Sequence, residues 1–250
     1  MTLSRERATF FPMAVVAHMK KPPPASDADV RGAILEAAIH AIEEGGLAGV
    51  SMRDVARRAG VSHQLPYHYF TDREGILAAV AEVGFVELAA RLKAAFTSNG
   101  SGAERMAAAG RTYVEFACSH PAHFRVMFRN DFVSMMNHPS AQARAESCFG
   151  WLPELVAACI EDGMPPAPNA RALVVLAWSI AHGLACLLLD GPLAKKLPDA
   201  AEAKEATVRD VMEAMKLLIE RSSKTPSPAR SAEHAVRPTA TKPRKTTKKP

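Results

Sequence analysis

The stretch SHQLPYHYF, residues 62–70, concentrates side chains that can hydrogen-bond to DNA. His63 and Gln64 come first, and a glutamine amide can form two hydrogen bonds with the edge of an adenine in the major groove. The hydroxyl and imidazole groups that follow belong to Tyr67, His68 and Tyr69. Such groups can donate to phosphates, which positions a protein without specifying a sequence. We predict that this stretch reads DNA, with packing between helices as the alternative for Tyr69 and Phe70.

Pro66 is the residue of this stretch that argues against a helix. Ser62 is a good N-cap, and with that cap Pro66 becomes the fourth helical residue. The first four N–H groups of a helix have no intrahelical partner, so a proline there removes at most one ladder bond. We therefore predict a short helix that is capped by Ser62 and tolerates Pro66 in its first turn.

The preceding stretch SMRDVARRAG, residues 51–60, predicts another short helix. Ser51 is its N-cap, and Asp54 completes a box-like start. Gly60 then provides the tight turn, after which the second helix begins with polar side chains. Two helices around such a turn are typical of the helix-turn-helix, whose second helix lies in the major groove with its first residues at the base edges.

The remaining pattern predicts an all-α protein of about nine helices, since no stretch alternates convincingly in the manner of a strand. An amphipathic helix begins near Val30 and stops at Gly45-Gly46. A long helix over about 73–96 is capped by Asp72. The other predicted helices span about 103–119, 121–130, 140–162, 169–190 and 200–222.

Residues 30–80 resemble the DNA-binding domain of the TetR/AcrR family of bacterial repressors. The stretches that carry the resemblance are ILEAAIHAIEEGG, SMRDVARRAGVS, PYHYF and TDREGILAAV. Pro66 stands where the family usually has leucine, and Arg73 where it usually has lysine. The resemblance implies DNA binding by Ser51, Arg53, Ser62, His63, Gln64, Tyr67, His68 and Arg73. Arg73 would keep the phosphate-binding charge at the start of the fourth helix, near the positive end of its dipole.

Two stretches of the C-terminal half resemble the branch of that family with a WHG-type C-terminal domain. They are YVEFACSHPAHFRVMF, residues 113–128, and WSIAHGLACLLLDGPL, residues 178–193. Trp178 and His182 are four residues apart and share a helix face. We predict a pocket for a mostly apolar small molecule with one polar group, lined by Tyr113, Phe116, Met127, Phe128, Trp178 and His182. Ordinary core packing is the alternative for each of these residues.

Charge and composition divide the chain into four parts. Residues 222–250 hold eight Lys or Arg against one acid, so this tail carries +7 and the rest of the chain −2, which gives the net charge of +5. We predict a flexible arm over 1–29, the helix-turn-helix domain over 30–77, a ligand-binding and dimerisation domain over 78–222 and a disordered basic tail over 223–250. The apolar run 173–189 predicts a helix buried on all sides rather than a membrane span, because polar residues interrupt its centre.

Catalytic and metal-binding signatures are weak. The sequence has no G-x-S-x-G elbow, no phosphate loop and no zinc-protease motif, so we predict neither an enzyme nor a cofactor. His120 and His123 are close in sequence, but no acid or cysteine nearby completes an obvious metal site. The four cysteines are widely spaced, which favours reduced and mostly buried thiols.

These observations predict a cytoplasmic, homodimeric transcriptional regulator, a repressor by family precedent, released from a palindromic double-stranded DNA operator by a small, largely apolar effector. The family resemblance implies that the last two long helices, about 169–190 and 200–222, form a four-helix bundle with their mates. One alternative is a helical small-molecule-binding protein or enzyme that uses the C-terminal cavity. Another is an architectural DNA-binding protein led by the basic tail.

Overall fold

The computed structural model describes residues 26–166, 169–197 and 201–224. The predictions of a flexible arm and of a disordered basic tail concern residues that lie almost entirely outside these ranges. Within them the chain forms eleven α-helices and one short 3₁₀ turn, Met135–Asn137, and no β-strand. The predicted all-α fold class is therefore confirmed.

The helices occupy the described chain in this order: α1 Asp27–Gly49, α2 Met52–Arg58, α3 Leu65–Tyr69, α4 Arg73–Phe96, α5 Gly102–Ser119, α6 Pro121–Met127, α7 Pro139–Phe149, α8 Leu152–Glu161, α9 Ala170–Leu189, α10 Pro192–Lys196 and α11 Ala201–Lys224. The single helix predicted over 140–162 is wrong. This segment forms two helices. The chain turns at Gly150 and Trp151, and Pro153 lies in the first turn of α8. Helix α10 was not predicted from the sequence.

The first helix begins earlier than predicted. Ser26 and Asp29 form a reciprocal capping box, so α1 starts at Asp27. Its apolar stripe, which includes Ile34, Ala38 and Ile42, is fully buried. The chain leaves helical geometry at Gly46, as the glycine pair predicted.

Helix α4 is the spine of the molecule. Asp72 caps it through the N–H of Gly75 at 2.9 Å, and Ile76, Leu77, Val80 and Leu88 are fully buried along it. It packs against α1 in the N-terminal half and against α5, α6 and α7 in the C-terminal half. The predicted domain boundary at 77/78 falls inside this helix, so the two halves share a rigid element.

Helix α5 lies at the centre of the C-terminal half and packs against α4, α8, α9 and α11. Cys118, Cys148, Cys159 and Cys186 are all free thiols. Burial raises the pKa of Cys148 to about 12 and that of Cys159 to about 11, so both thiols keep their protons at neutral pH. Cys118 is only half-buried and Cys186 is exposed, so the expectation of mostly buried thiols holds for two of the four.

Helix α9 is long and apolar enough to cross a membrane by length and composition alone, a test that core helices also pass. The prediction that it is buried on all sides is wrong for a single chain. Only Ala181, Leu184, Ala185 and Leu188 are buried, and Val175, Leu176, Trp178 and Leu187 are exposed. The sequence cannot distinguish a helix buried within one chain from a helix with a free apolar face.

Candidate functional site

Helix α2 and the turn after it set the position of the polar stretch. Ser51 caps α2 by accepting the N–H of Asp54 at 3.2 Å, but the reciprocal half of the predicted box is absent because the Asp54 carboxylate binds arginines instead. Gly60 has φ +67, a left-handed conformation that favours glycine. The Val61 N–H then donates to the Ala56 carbonyl at 3.0 Å, which closes the turn.

Helix α3 begins two residues later than a Ser62 cap predicts. Its cap position is Gln64, which makes no side-chain capping bond, and Pro66 is its second residue. The missing N–H of Pro66 therefore falls where a helix needs no partner, and its ring is buried. His63 and Gln64 lie in the turn before the helix, fixed by the Leu65 N–H bond to the Ser62 carbonyl at 3.0 Å.

The predicted reading side chains protrude into solvent. Ser62, His63, Gln64, Tyr67 and His68 are all exposed. The side chains of His63 and Gln64 touch, with 3.1 Å between the Nε2 atoms, so they form one polar tip. Ser51, Arg53 and His63 line one open concavity that joins the start of α2 to this tip. The structure therefore brings Ser51, Arg53, His63 and Gln64 together, and it leaves Ser62, Tyr67 and His68 exposed on the adjoining turn and helix.

The arginines of α2 differ in what they bind. Arg57 and Arg58 both donate to Asp54, and Arg58 also pairs with Glu44 at 2.8 Å. The hydrogen bonds from Arg58 hold the pKa of Asp54 and of Glu44 below the usual range. Arg53 is exposed and makes no ion pair with any residue of the described ranges. It is the α2 cation with its charge available to a phosphate.

Arg73 and Tyr69 face the protein rather than the polar surface, which corrects their predicted role. The Arg73 guanidinium donates to the carbonyls of Val50, at 2.9 Å, and Leu47, and lies against the Phe132 ring. Arg73 therefore satisfies carbonyl groups at the C-terminal end of α1. The Tyr69 hydroxyl donates to Asp27 at 3.2 Å, and its ring packs against the core. The packing alternative given for Tyr69 is what the structure shows.

The C-terminal half contains a chain of three polar groups, from exposed Trp178 through buried Tyr113 to half-buried His182, inside an aromatic cluster. Trp178 Nε1 lies 3.4 Å from the Tyr113 hydroxyl, which lies 2.9 Å from His182 Nδ1. Because the indole can only donate, the Tyr113 hydroxyl donates in turn to a neutral His182. Burial lowers the pKa of His182 and raises that of Tyr113, so both groups stay uncharged at neutral pH.

Four of the six predicted pocket residues belong to this cluster. Phe128 lies 4.9 Å from the His182 ring and 6.3 Å from each of the Tyr113 and Trp178 rings, between centroids. Phe116 and Met127 do not belong to it. Phe116 lies one turn after Tyr113 on α5, but its ring stacks on His120 at 4.9 Å between centroids. The sequence analysis missed Phe124 and Phe149, whose rings complete the cluster.

Met127 faces α4 at a close helix crossing. A Cβ atom at Gly84 would lie 2.6 Å from its sulfur and 3.0 Å from the Cβ of His123, so only glycine lets α4 and α6 approach this closely. Phe124 and Phe128 lie on and directly after the same α6, with their rings in the cluster. Helix α6 thus contacts the aromatic cluster, α4 and α1 at once.

A metal site is not formed at the two neighbouring histidines. Their rings lie 5.8 Å apart, but no group of three or more His, Cys, Asp or Glu side chains in the described ranges has a metal-binding arrangement. His120 is held by Ser119 at 2.8 Å and lies 3.4 Å from Arg91.

Two family models match the chain. The model for bacterial regulatory proteins of the tetR family matches residues 34–80, which contain α2, α3 and the polar tip. The model for the tetracyclin repressor-like C-terminal domain matches residues 106–211, which contain the aromatic cluster and both stretches quoted for the C-terminal resemblance.

Individual relatives agree with these matches. The transcriptional regulator BetI of Paraburkholderia phytofirmans is 41% identical over 49 residues, which cover 20% of this chain and 25% of that relative. A solved structure of a protein with unknown function from Rhodococcus sp. RHA1 is 27% identical, with a TM-score of 0.64, and covers 82% of this chain and 100% of its own. The TetR family regulator PfmR from Thermus thermophilus has the same fold at 20% identity, with a TM-score of 0.59 over 77% of this chain and 99% of its own.

Proposed function

The chain belongs to the TetR family of bacterial transcriptional regulators, and on that basis we propose that it is a homodimeric repressor that leaves its operator when a small, largely apolar molecule binds the C-terminal half. DNA-binding regulation of transcription is the function of this family. TetR family regulators are generally non-enzymatic, and we propose no reaction for this chain. We place its action in the cytoplasm, where its DNA is.

The observation that carries the operator contact is the exposed polar tip of His63 and Gln64 at the start of α3. Their side chains have no partner other than each other in the described structure, and they project beyond the buried Pro66. We assign them to base edges in the major groove. Ser51, Arg53, Ser62, Tyr67 and His68 surround the tip and are assigned to phosphates.

The low net charge of this domain means that its contact with DNA depends on where individual arginines lie. Residues 30–77 carry five arginines and six acids, so no general positive field attracts DNA. Arg58 is neutralised by its two carboxylates and Arg57 by its share of Asp54, which leaves Arg53 beside the tip as the cation directed at the backbone.

The exposed apolar face of α9 and α11 supports a dimer. Leu217 and Leu218 on α11 are exposed together with the free face of α9. Apolar patches of this kind mark interfaces in soluble proteins, and a two-fold pairing of both helices would bury them in a four-helix bundle. Two copies of α3 would then address the two halves of a palindromic operator.

The contacts of α6 support a route from ligand to DNA. A molecule that displaces Phe128 or Tyr113 moves the end of α6, and α6 has little freedom to move without α4 because Met127 and His123 fill the space over Gly84. Only three residues separate α3 from α4, so the tilt of α4 sets the distance between the polar tips of the two subunits. A ligand that binds better to the wider or narrower spacing lowers operator affinity by population shift.

A mobility-shift titration on the duplex upstream of the protein's own gene, repeated over a range of salt concentrations, tests this proposal. We expect preferential binding over a scrambled duplex of equal length, with two protein copies per site. Equal affinity for both duplexes at every salt concentration would remove sequence-specific regulation as the function.

A further inference from the structure

Two apolar cavities adjoin in the C-terminal half. The inner cavity lies beside the aromatic cluster and holds about 40 Å³, with Tyr113, Trp151 and Trp178 in its wall. The outer cavity lies between α8, α9 and α11 and holds about 320 Å³. Met106, Ala177 and Met215 line both cavities and so form the partition between them.

The volumes decide where a ligand can lie. Pockets for small organic molecules measure roughly 300–1,000 Å³, so the inner cavity alone is too small and the outer cavity alone is just large enough. A ligand that reaches Tyr113 must therefore occupy the outer cavity as well and must move the partition.

The partition is built from side chains that can move. Met106 and Met215 are nearly fully buried, at 4% and 6% exposure, and come from different helices. Methionine has three rotatable bonds and no branch, so it yields to a guest of similar shape at little cost. An unbranched hydrocarbon chain has the cross-section of the methionine side chains that it would replace.

The lining fixes the polarity of the guest. The outer cavity contains no charged side chain, and its one side-chain hydroxyl, that of Ser222, stands near the end of α11. Burying a charge without a partner is costly, so an ionised head group has to stay at the mouth. Leu176 and Leu218 line the mouth and belong to the proposed dimer face, so a second copy of the chain would help to enclose a bound tail.

We propose that the effector is a single-chain amphiphile whose unbranched hydrocarbon tail fills the outer cavity, displaces Met106 and Met215 and ends in the inner cavity beside both tryptophans. This assignment rests on the proposed ligand-gated function and specifies the class of ligand. The head group remains at the mouth, and the length of the tail determines whether the aromatic cluster is disturbed.

The chain contains two tryptophans, and both line the inner cavity, so tryptophan emission reports directly on the inner end. The full-length protein is titrated with straight-chain fatty acids and 1-alkanols of 6 to 16 carbons, each below its critical micelle concentration. Binding is measured by calorimetry, and emission is recorded in parallel. We expect affinity to rise about fourfold for each added methylene until the cavities are full. Emission should change only for tails long enough to pass the partition.

Ala177→Leu fills the partition and tests the joined cavities. This substitution should abolish the change in tryptophan emission. It should weaken the binding of long-tailed probes at least tenfold and leave the binding of the shortest probes nearly unaffected. Ile180→Phe narrows the outer cavity alone and should weaken all lengths. Ala94→Leu, on the exposed side of α4, is the matched control and should behave as wild type. Thermal melts establish that each variant is folded, and Ile180→Phe provides the test if Ala177→Leu is not.

Either an absence of saturable binding by every probe, or an affinity independent of tail length, would overturn this assignment. All of these titrations are made without DNA. Operator binding without amphiphile is measured separately, so a protein that binds its operator but no amphiphile would refute the ligand class and leave the proposed regulator intact. A protein that binds amphiphile but shows no preference for its operator would refute the proposed regulator and leave the ligand class intact.

Discussion

The polar tip before α3 and the aromatic cluster around Tyr113 use side chains in opposite ways. The tip consists of exposed groups in the turn before a short helix whose proline is buried. The cluster consists of rings in mutual contact around the buried Tyr113 and Phe124, with its polar groups satisfied by one another. The first can lose a side chain without loss of fold, whereas the second cannot move one ring without its neighbours. DNA contact by the tip therefore requires exposed side chains that can be replaced singly, whereas a response to ligand in the cluster requires rings that pack together.

The largest expected effect is the loss of stability when Phe116, which was wrongly assigned to the cluster, is replaced. Phe116 is fully buried outside the cluster, against His120 and Arg91. Phe116→Ala should lower the free energy of unfolding by about 3–5 kcal/mol, because it leaves a cavity in the core. Chemical denaturation measures this loss. A loss below about 1 kcal/mol, together with altered effector binding, would return Phe116 to the ligand site.

Two arginines of the N-terminal half provide a matched comparison. Arg73→Ala should destabilise the fold by about 2–3 kcal/mol, since two backbone carbonyls lose a charged donor. Arg53→Ala should leave stability unchanged, weaken binding to all DNA sequences and reduce the salt slope by about one. Denaturation and salt-dependent mobility shifts distinguish the two. If both variants behave alike in either assay, the division between them is wrong.

Within the polar surface, base reading and backbone contact should separate. Gln64→Ala should change which base is preferred at one operator position, with about 1–3 kcal/mol of lost discrimination. Tyr67→Phe removes an exposed hydroxyl and should weaken binding to every sequence equally. Affinities for a set of single-base operator variants test this. Equal effects of both substitutions on all variants would contradict the base-reading role of Gln64.

The smallest effect is a pH dependence that originates in the C-terminal half. Burial lowers the pKa of both His123 and His182, so the unfolded chain binds protons more readily than the folded one below about pH 6.5. Their contribution to stability is complete above that pH and is lost as the pH falls towards their lowered values. His120 also lowers the pKa of His123, whereas Glu36, Glu43 and Glu87 raise it.

Unfolding free energies between pH 5 and 7.5 measure this dependence. Replacing His123 by glutamine should flatten the decline at the acid end, since one of the two groups no longer titrates. An unchanged profile would mean that His123 is not linked to folding.

Local signals in the sequence predicted most of the helices but few of the tertiary roles. Asp72 marks the start of α4 and Gly60 the turn after α2 because caps and turns depend on neighbouring residues alone. Gly150 and Pro153 are equally local signals of the break between α7 and α8, and the sequence analysis passed over them. The displaced start of α3 follows from Pro66 once the helix is allowed to begin beside it.

The roles of Arg73, Phe116 and α9 could not be obtained in this way. Arg73 binds carbonyls that are 23 and 26 residues distant in the chain, and no local pattern records such a contact. Tyr113 and Phe116 lie three residues apart on α5 and are both buried, so only the packed structure shows that Tyr113 joins the cluster and Phe116 stacks on His120. The free face of α9 has the same composition as a core face, so only the packed structure shows that it is uncovered.

Photo-cross-linking tests the central claim, the contact of the polar tip with operator bases, most directly. A photoreactive amino acid is placed at Gln64 and, as control, at the exposed Glu161 on α8. The account predicts efficient cross-links from position 64 to bases in both halves of the operator and none from position 161. Cross-links from position 161 alone, or none from position 64 to DNA that the protein demonstrably binds, would contradict it.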